Sequence, residues 1–138
     1  MNLKHIIRVT IICFLFSCCN NQEKVGKDVF WENFKQKLQK NDINYLLKNS
    51  LDSINCSDCN SNSIDELFSS KAVFSKYKNQ FYKNSLLDNK NYTVNKNDSF
   101  IRVNYIFVGK NGNEGHNIIY IFDKIDNQFL LSGKITIP

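Results

Sequence analysis

The chain has 138 residues with 42% hydrophobic and 22% charged composition, enough for one domain with a real core and too little for two. Its formal charge of +5 is spread along the chain without a block of five or six like charges, which excludes a basic nucleic-acid arm. Arginine occurs only at Arg8 and Arg102, so the forked donors that phosphate and base recognition recruits are scarce, and no nucleic-acid partner is expected.

The N-terminus reads as an export signal. Lys4, His5 and Arg8 make a basic start, and Val9 to Phe16 follow without a formal charge. A bilayer-crossing helix needs about 20 apolar residues, so this run is too short to span. A basic start, a brief apolar core and a small residue before a cut form the signal pattern. Leu15-Phe16-Ser17-Cys18 resembles the processing site of bacterial lipoproteins, matching its leucine, small residue and cysteine, with Phe16 bulkier than usual. The resemblance implies removal of residues 1–17, a diacylglyceryl thioether on Cys18 and a third, amide-linked chain, the acyl groups being of the palmitate type. Two or three such chains, at about 0.8 kcal/mol per buried methylene, suffice for stable anchoring. The expected location is the cell envelope, lipid-anchored to a bacterial membrane and facing the periplasm or the surface. Residues 18–27 are polar and without periodicity, a flexible tether whose last nine residues reach about 15–18 Å. Residues 28–138 form a single α+β domain.

Asp28 is placed to cap the first helix, in which Phe30, Phe34 and Leu38 form one stripe with Trp31 beside it. Glu32, Lys35, Gln36 and Gln39 fall on the other side. Asn41-Asp42 breaks or caps, and Ile43, Leu46 and Leu47 open a second short helix ending near Asn49. Leu51 to Ile54 reads as extended. Cys56-Ser57-Asp58-Cys59 is the natural site of a local disulfide in an oxidising compartment. Its loop is so short that the entropic gain is small, and the role of Cys19 stays open.

Asn60-Ser61-Asn62 is turn material, and Ser63-Ile64-Asp65-Glu66 matches a capping box. A third helix is therefore expected, with Ile64, Leu67, Phe74 and Phe81 on one face, Phe68 and Tyr77 at its margins, and Ser69-Ser70 as an interruption.

From Tyr92 the pattern changes to period two. Ile101, Val103, Tyr105 and Phe107 alternate with Phe100, Arg102, Asn104 and Ile106, and Gly109 to Asn113 makes a turn. Ile118 to Phe122 is the next strand, and Asp126-Asn127 turns the chain again. Phe129, Leu131, Ile135 and Ile137 then alternate with Leu130, Ser132, Lys134 and Thr136. Helices followed by strands predict an α+β fold, with N-terminal helices packed on a curved antiparallel sheet that ends in a C-terminal β-meander. The element order, with its Phe30, Phe34, Leu38, Leu46 pattern, is similar to the cystatin-like or nuclear-transport-factor-2-like cone. Such cones host enzymes, binders and structural modules alike.

Motifs for chemistry are sparse. His116 is the only histidine after the signal; the cone resemblance suggests a His–carboxylate pair, for which Asp123 and Asp126 are the nearest partners. Asp123 lies seven residues on, an odd offset that sends the two to opposite strand faces. Cys56, Asp58, Cys59 and His116 are too few and too scattered to make a metal site expected, and no cofactor fingerprint occurs. Asp65-Glu66 is accounted for by helix-start electrostatics. The Asn-x-Ser/Thr triplets at Asn55, Asn91 and Asn97 matter only in a glycosylating pathway. Trp31, Tyr45, Tyr82, Tyr105 and Tyr120 combine apolar bodies with polar tips and are the candidate lining of a ligand pocket, or core. The expected function is a non-enzymatic, membrane-anchored binding or interaction module for a protein or a small apolar ligand. The alternatives are a small cone-fold hydrolase or isomerase using His116, or an immunity-type protein neutralising a toxin.

Overall fold

The computed structural model describes residues 28–59, 67–108 and 115–137. Residues 1–27, read above as signal and tether with Cys18, residues 63–66, read as a capping box, and residues 109–113, read as a turn, lie outside these described residues.

Helix α1 (Val29–Gln39) starts where Asp28 Oδ1 accepts the Trp31 N–H at 2.9 Å, closing one of the free donors of the first turn. Asn41, at φ 53°, takes the left-handed conformation that ends the helix. Asp42 then caps α2 (Ile43–Lys48) through the Tyr45 N–H. Strand β1 is Ser50–Cys56 and β2 is Leu67–Ser69. Three short helices follow, α3 (Ser70–Ser75), α4 (Lys78–Phe81) and α5 (Asn84–Leu87). The chain closes with β3 (Tyr92–Lys96), β4 (Phe100–Phe107), β5 (His116–Ile125) and β6 (Gln128–Ile137).

The six strands form one open sheet in the order β2-β1-β6-β5-β4-β3. The run from β3 to β6 is an antiparallel meander, so the expected α+β architecture with a C-terminal meander holds. Asp126 and Asn127 both sit at positive φ, 47° and 64°, as a two-residue hairpin turn requires. Asn97 Oδ1 accepts the N–H groups of Ser99 and Phe100, a side-chain turn that splits the first period-two segment into β3 and β4.

Three features differ from the sequence reading. Leu67 and Phe68 belong to a strand paired with Ile54 and Asn55 of β1, not to a helix. The helix begins later, where Ser69 Oγ accepts the Ala72 N–H at 3.2 Å. Two adjacent apolar residues satisfy either period, and here the β1 ladder decides. The second difference is that β1 joins β6 in parallel, although the rest of the sheet is antiparallel. Gly133 makes this approach fit, since a Cβ there would lie 3.2 Å from the Asn55 Cβ.

The third is a β-bulge. Ile121 faces Gly133 and Phe122 faces Leu131, leaving Ser132 without a partner on β5. One extra residue reverses the side-chain parity beyond it. Leu131 therefore opposes Phe122, and Lys134, read from the alternation as lying on the face away from Leu131, opposes Tyr120 on the same face. Both are buried.

Helix α1 covers that inner face. Trp31 packs its ring 5.0 Å from Tyr120, and Phe34 meets Phe122 edge-on at 4.9 Å. Ile101, Val103, Tyr105, Tyr120 and Phe122 are fully buried from the sheet side, and Trp31, Phe34 and Leu38 from the helix. Each such side chain contributes roughly 1.5–3 kcal/mol by leaving water. The polar tips are matched: Trp31 Nε1 donates to Tyr105 Oη at 3.0 Å, and Tyr120 Oη donates to the Phe81 carbonyl at 3.3 Å. Cys56 and Cys59 form a disulfide with Cα atoms 5.3 Å apart, as their spacing predicts. Among the described residues no helix is long and apolar enough to cross a membrane.

Candidate functional site

Beyond the end of α1 coverage, the inner face opens into a cavity of about 530 Å³. Its apolar lining is Phe81, Tyr82, Leu86, Phe107 and Ile118; Lys83 and His116 also border it, and Asp58, Lys134 and Thr136 form a hydrogen-bonded polar cluster in its wall. Five elements converge here: the loop after β1, the α4–α5 segment, the end of β4, the start of β5 and the end of β6.

Lys134 is the unusual member. Its side chain is only 3% exposed, a rare state for lysine unless it is paired. The ammonium donates to Asp58 Oδ2 and to the Gln80 carbonyl oxygen at 3.1 Å. Its third N–H has no partner among the described residues. Burial lowers the Lys134 pKa from the ordinary lysine range, with the Asp58 hydrogen bond and charge acting against that fall. For Asp58, partial burial opposes ionisation. The Lys134 hydrogen bond and charge, with donors from Thr136 and Ser57, outweigh it and hold the carboxyl below its ordinary value.

The disulfide loop aims Asp58. Cys59 N–H donates to the Cys56 carbonyl, Ser57 N–H to the Lys134 carbonyl, and Thr136 N–H to Ser57 Oγ at 2.9 Å. Thr136 Oγ1 donates to Asp58 Oδ2 at 2.8 Å. The four-residue loop is thus stitched to the end of β6, and its carboxylate lands on the buried ammonium.

The residues singled out from the sequence are distributed differently. Trp31, Tyr105 and Tyr120 are fully buried between α1 and the sheet, and Tyr45 is half-buried against Phe34. Tyr82, nearly buried, is the one of the five that lines the cavity. His116 is exposed at the cavity rim, stacked on Phe107 with ring centroids 4.8 Å apart. Asp123 is seven residues along β5 and pairs with Phe100, about 23 Å away at strand rise. Asp126 lies in the turn beyond it. Asp58 is the carboxylate that shares a cavity with His116. Among the described residues no three His, Cys, Asp or Glu side chains gather as a metal site would require.

Lys134 and Asp58 escaped the sequence reading as a pair. They are 76 positions apart, and Lys134 stands in an alternating strand where a lysine signals the solvent face.

No protein-family model matches this chain, and no curated protein does. Solved structures give distant likenesses in fold. A DUF4783 family protein from Bacteroides ovatus ATCC 8483 aligns with a TM-score of 0.45 at 15% identity, covering 73% of this chain and 87% of that one. A protein assigned as a calcium/calmodulin dependent protein kinase II association domain from Xanthomonas campestris aligns with a TM-score of 0.42 at 14% identity, over 78% and 81%. An NTF-2 like protein of unknown function from Shewanella oneidensis MR-1 aligns with a TM-score of 0.40 at 8% identity, over 74% and 88%.

Proposed function

We propose that this chain is a lipid-anchored, non-enzymatic binding module whose cavity takes a small, largely apolar ligand. The observation that carries the reading is the cavity of about 530 Å³, lined by Phe81, Leu86, Phe107 and Ile118 together with a few polar groups. That size and that mixture are typical of small-molecule sites. The anchor is the lipid on Cys18, which holds the domain beside a bacterial membrane at the end of a short tether.

Two measurements test the two halves. Titration of 2-isopropylnaphthalene into the full chain, followed by amide NMR shifts, is expected to give saturable changes at Phe107, Ile118 and Thr136. Ile118→Trp, which fills the cavity, is expected to abolish them; shifts that survive the filling would place binding elsewhere. Metabolic labelling with a fatty-acid analogue is expected to mark the wild type and not Cys18→Ala, and undiminished labelling of the variant would remove Cys18 from the anchor.

A second reading, a hydrolase or isomerase built on His116, is favoured by one observation: His116 and Asp58 line the same cavity. Hydrolysis of p-nitrophenyl acetate by the wild type, lost in a His116→Gln variant that still binds 2-isopropylnaphthalene, would turn the reading to an enzyme.

A further inference from the structure

Lys134 sets a buried ammonium in the wall of the cavity with one N–H lacking an acceptor. Its side chain is 3% exposed. Two donors are engaged by Asp58 Oδ2 and the Gln80 carbonyl oxygen. The third meets no acceptor among the described residues. A charged donor withdrawn from water and left unmatched is costly, and an incoming oxygen atom relieves that cost.

Charge decides what kind of oxygen it is. Lys134 and Asp58 already neutralise each other, and Lys83, the other lysine in the lining, is exposed, so water and salt screen its charge. A carboxylate or phosphate that reached the ammonium would come within a few ångströms of the Asp58 carboxylate, and the apolar walls would strengthen their repulsion. A hydroxyl would bring a proton of its own that needs an acceptor. The acceptors bonded to Lys134 already hold donors, Asp58 Oδ2 from Lys134 and Thr136 and the Gln80 carbonyl from Lys134, while Tyr82 Oη, buried in the same lining without a partner, has a proton of its own that the second lone pair of a carbonyl can take. A carbonyl oxygen accepts without donating and carries no charge. The remainder of the molecule would face Phe81, Leu86, Phe107 and Ile118, so its body is apolar.

Resting on the cavity as a binding site, we propose that its ligand is a neutral, apolar carbonyl compound, a ketone or ester, whose oxygen accepts the third N–H of Lys134. No bond is made or broken. The ammonium stays with Asp58 and acts as a fixed, pre-oriented donor, so the ligand gains a charge-assisted hydrogen bond without reorganising the site.

The test is a matched series on the full chain: 2-acetylnaphthalene, its near-isostere 2-isopropylnaphthalene, and 2-naphthoate, with affinities read from amide NMR shifts. The ketone is expected to bind at least about tenfold more tightly than the hydrocarbon, and more tightly than the acid. Lys134→Met is expected to remove the preference, bringing the ratio of ketone to hydrocarbon affinity to about one. Lys134→Met combined with Asp58→Asn leaves no charge unpaired, and serves should the single variant fold poorly. Equal affinity of ketone and hydrocarbon in the wild type overturns the carbonyl assignment and leaves the cavity reading standing. Tightest binding of 2-naphthoate overturns it in favour of an anion site. Failure of all three to bind removes the cavity reading as well.

Discussion

Lys134 stands directly across the β5–β6 ladder from Tyr120, and both side chains are buried on the helix-covered face. Ser132 is the cause. By bulging out of register it turns Leu131 and Lys134, three positions apart, to the same side. A residue type suited to solvent is thereby delivered to the interior, where the disulfide loop brings Asp58 to meet it.

That pair should respond asymmetrically to mutation. The Asp58 side chain is 36% exposed and Lys134 only 3%, so water can serve a widowed carboxylate but not a widowed ammonium. Asp58→Ala is expected to destabilise by about 3 kcal/mol, because it strands a buried charge. Lys134→Met, which keeps the apolar stem and discards that charge, is expected to cost less than about 1 kcal/mol. Urea unfolding of both variants checks this, and a Lys134→Met loss larger than that of Asp58→Ala would contradict it.

Alkaline pH should destabilise the fold through its tyrosines. Burial pushes Tyr105 up to about 12, raises Tyr120 well above the ordinary value of 10, and raises Tyr92 likewise. Above pH 10 the unfolded chain releases these protons while the folded chain keeps them, so stability falls as pH rises. Lys134 acts with the opposite sign: its lowered pKa means stability gains from that value up to 10.5. Three phenols outweigh one amine, and the net slope above pH 10 is negative. Tyr105→Phe is expected to flatten it between pH 10 and 12 by about 1.4 kcal/mol per pH unit. Urea unfolding at pH 9, 10.5 and 11.5 gives the slopes; parallel slopes for variant and wild type would refute the assignment to Tyr105.

The core and the rim should separate cleanly. Phe34 is fully buried and touches Phe30, Trp31, Tyr45 and Phe122, so Phe34→Ala is expected to cost about 3–5 kcal/mol. His116 is exposed and touches Phe107 by stacking, so His116→Ala is expected to change stability by less than about 0.5 kcal/mol. Denaturant unfolding of the two variants side by side is the check. A Phe34→Ala loss below about 1 kcal/mol would mean that α1 is not the lid of a single core.

By itself the sequence determined what short-range physics governs. The caps at Asp28 and Asp42, the stripe of Phe30, Phe34 and Leu38 with Trp31 beside it, the alternation of β4, the turn at Asp126-Asn127 and the Cys56–Cys59 bridge each depend on residues within a few positions of one another. The same local signals made the α+β class and the meander legible. Tertiary structure alone decided the rest. Leu67 and Phe68 became a strand because β1 offered its backbone donors and acceptors, and β1 took its parallel place beside β6 because Gly133 lets the two backbones approach. The cavity and its polar cluster turn on the Ser132 bulge, a one-residue slip that no composition or period marks. Side-chain parity is a property of strand pairing, and pairing between Asp58 and Lys134, 76 residues apart, is chosen only when the whole sheet closes.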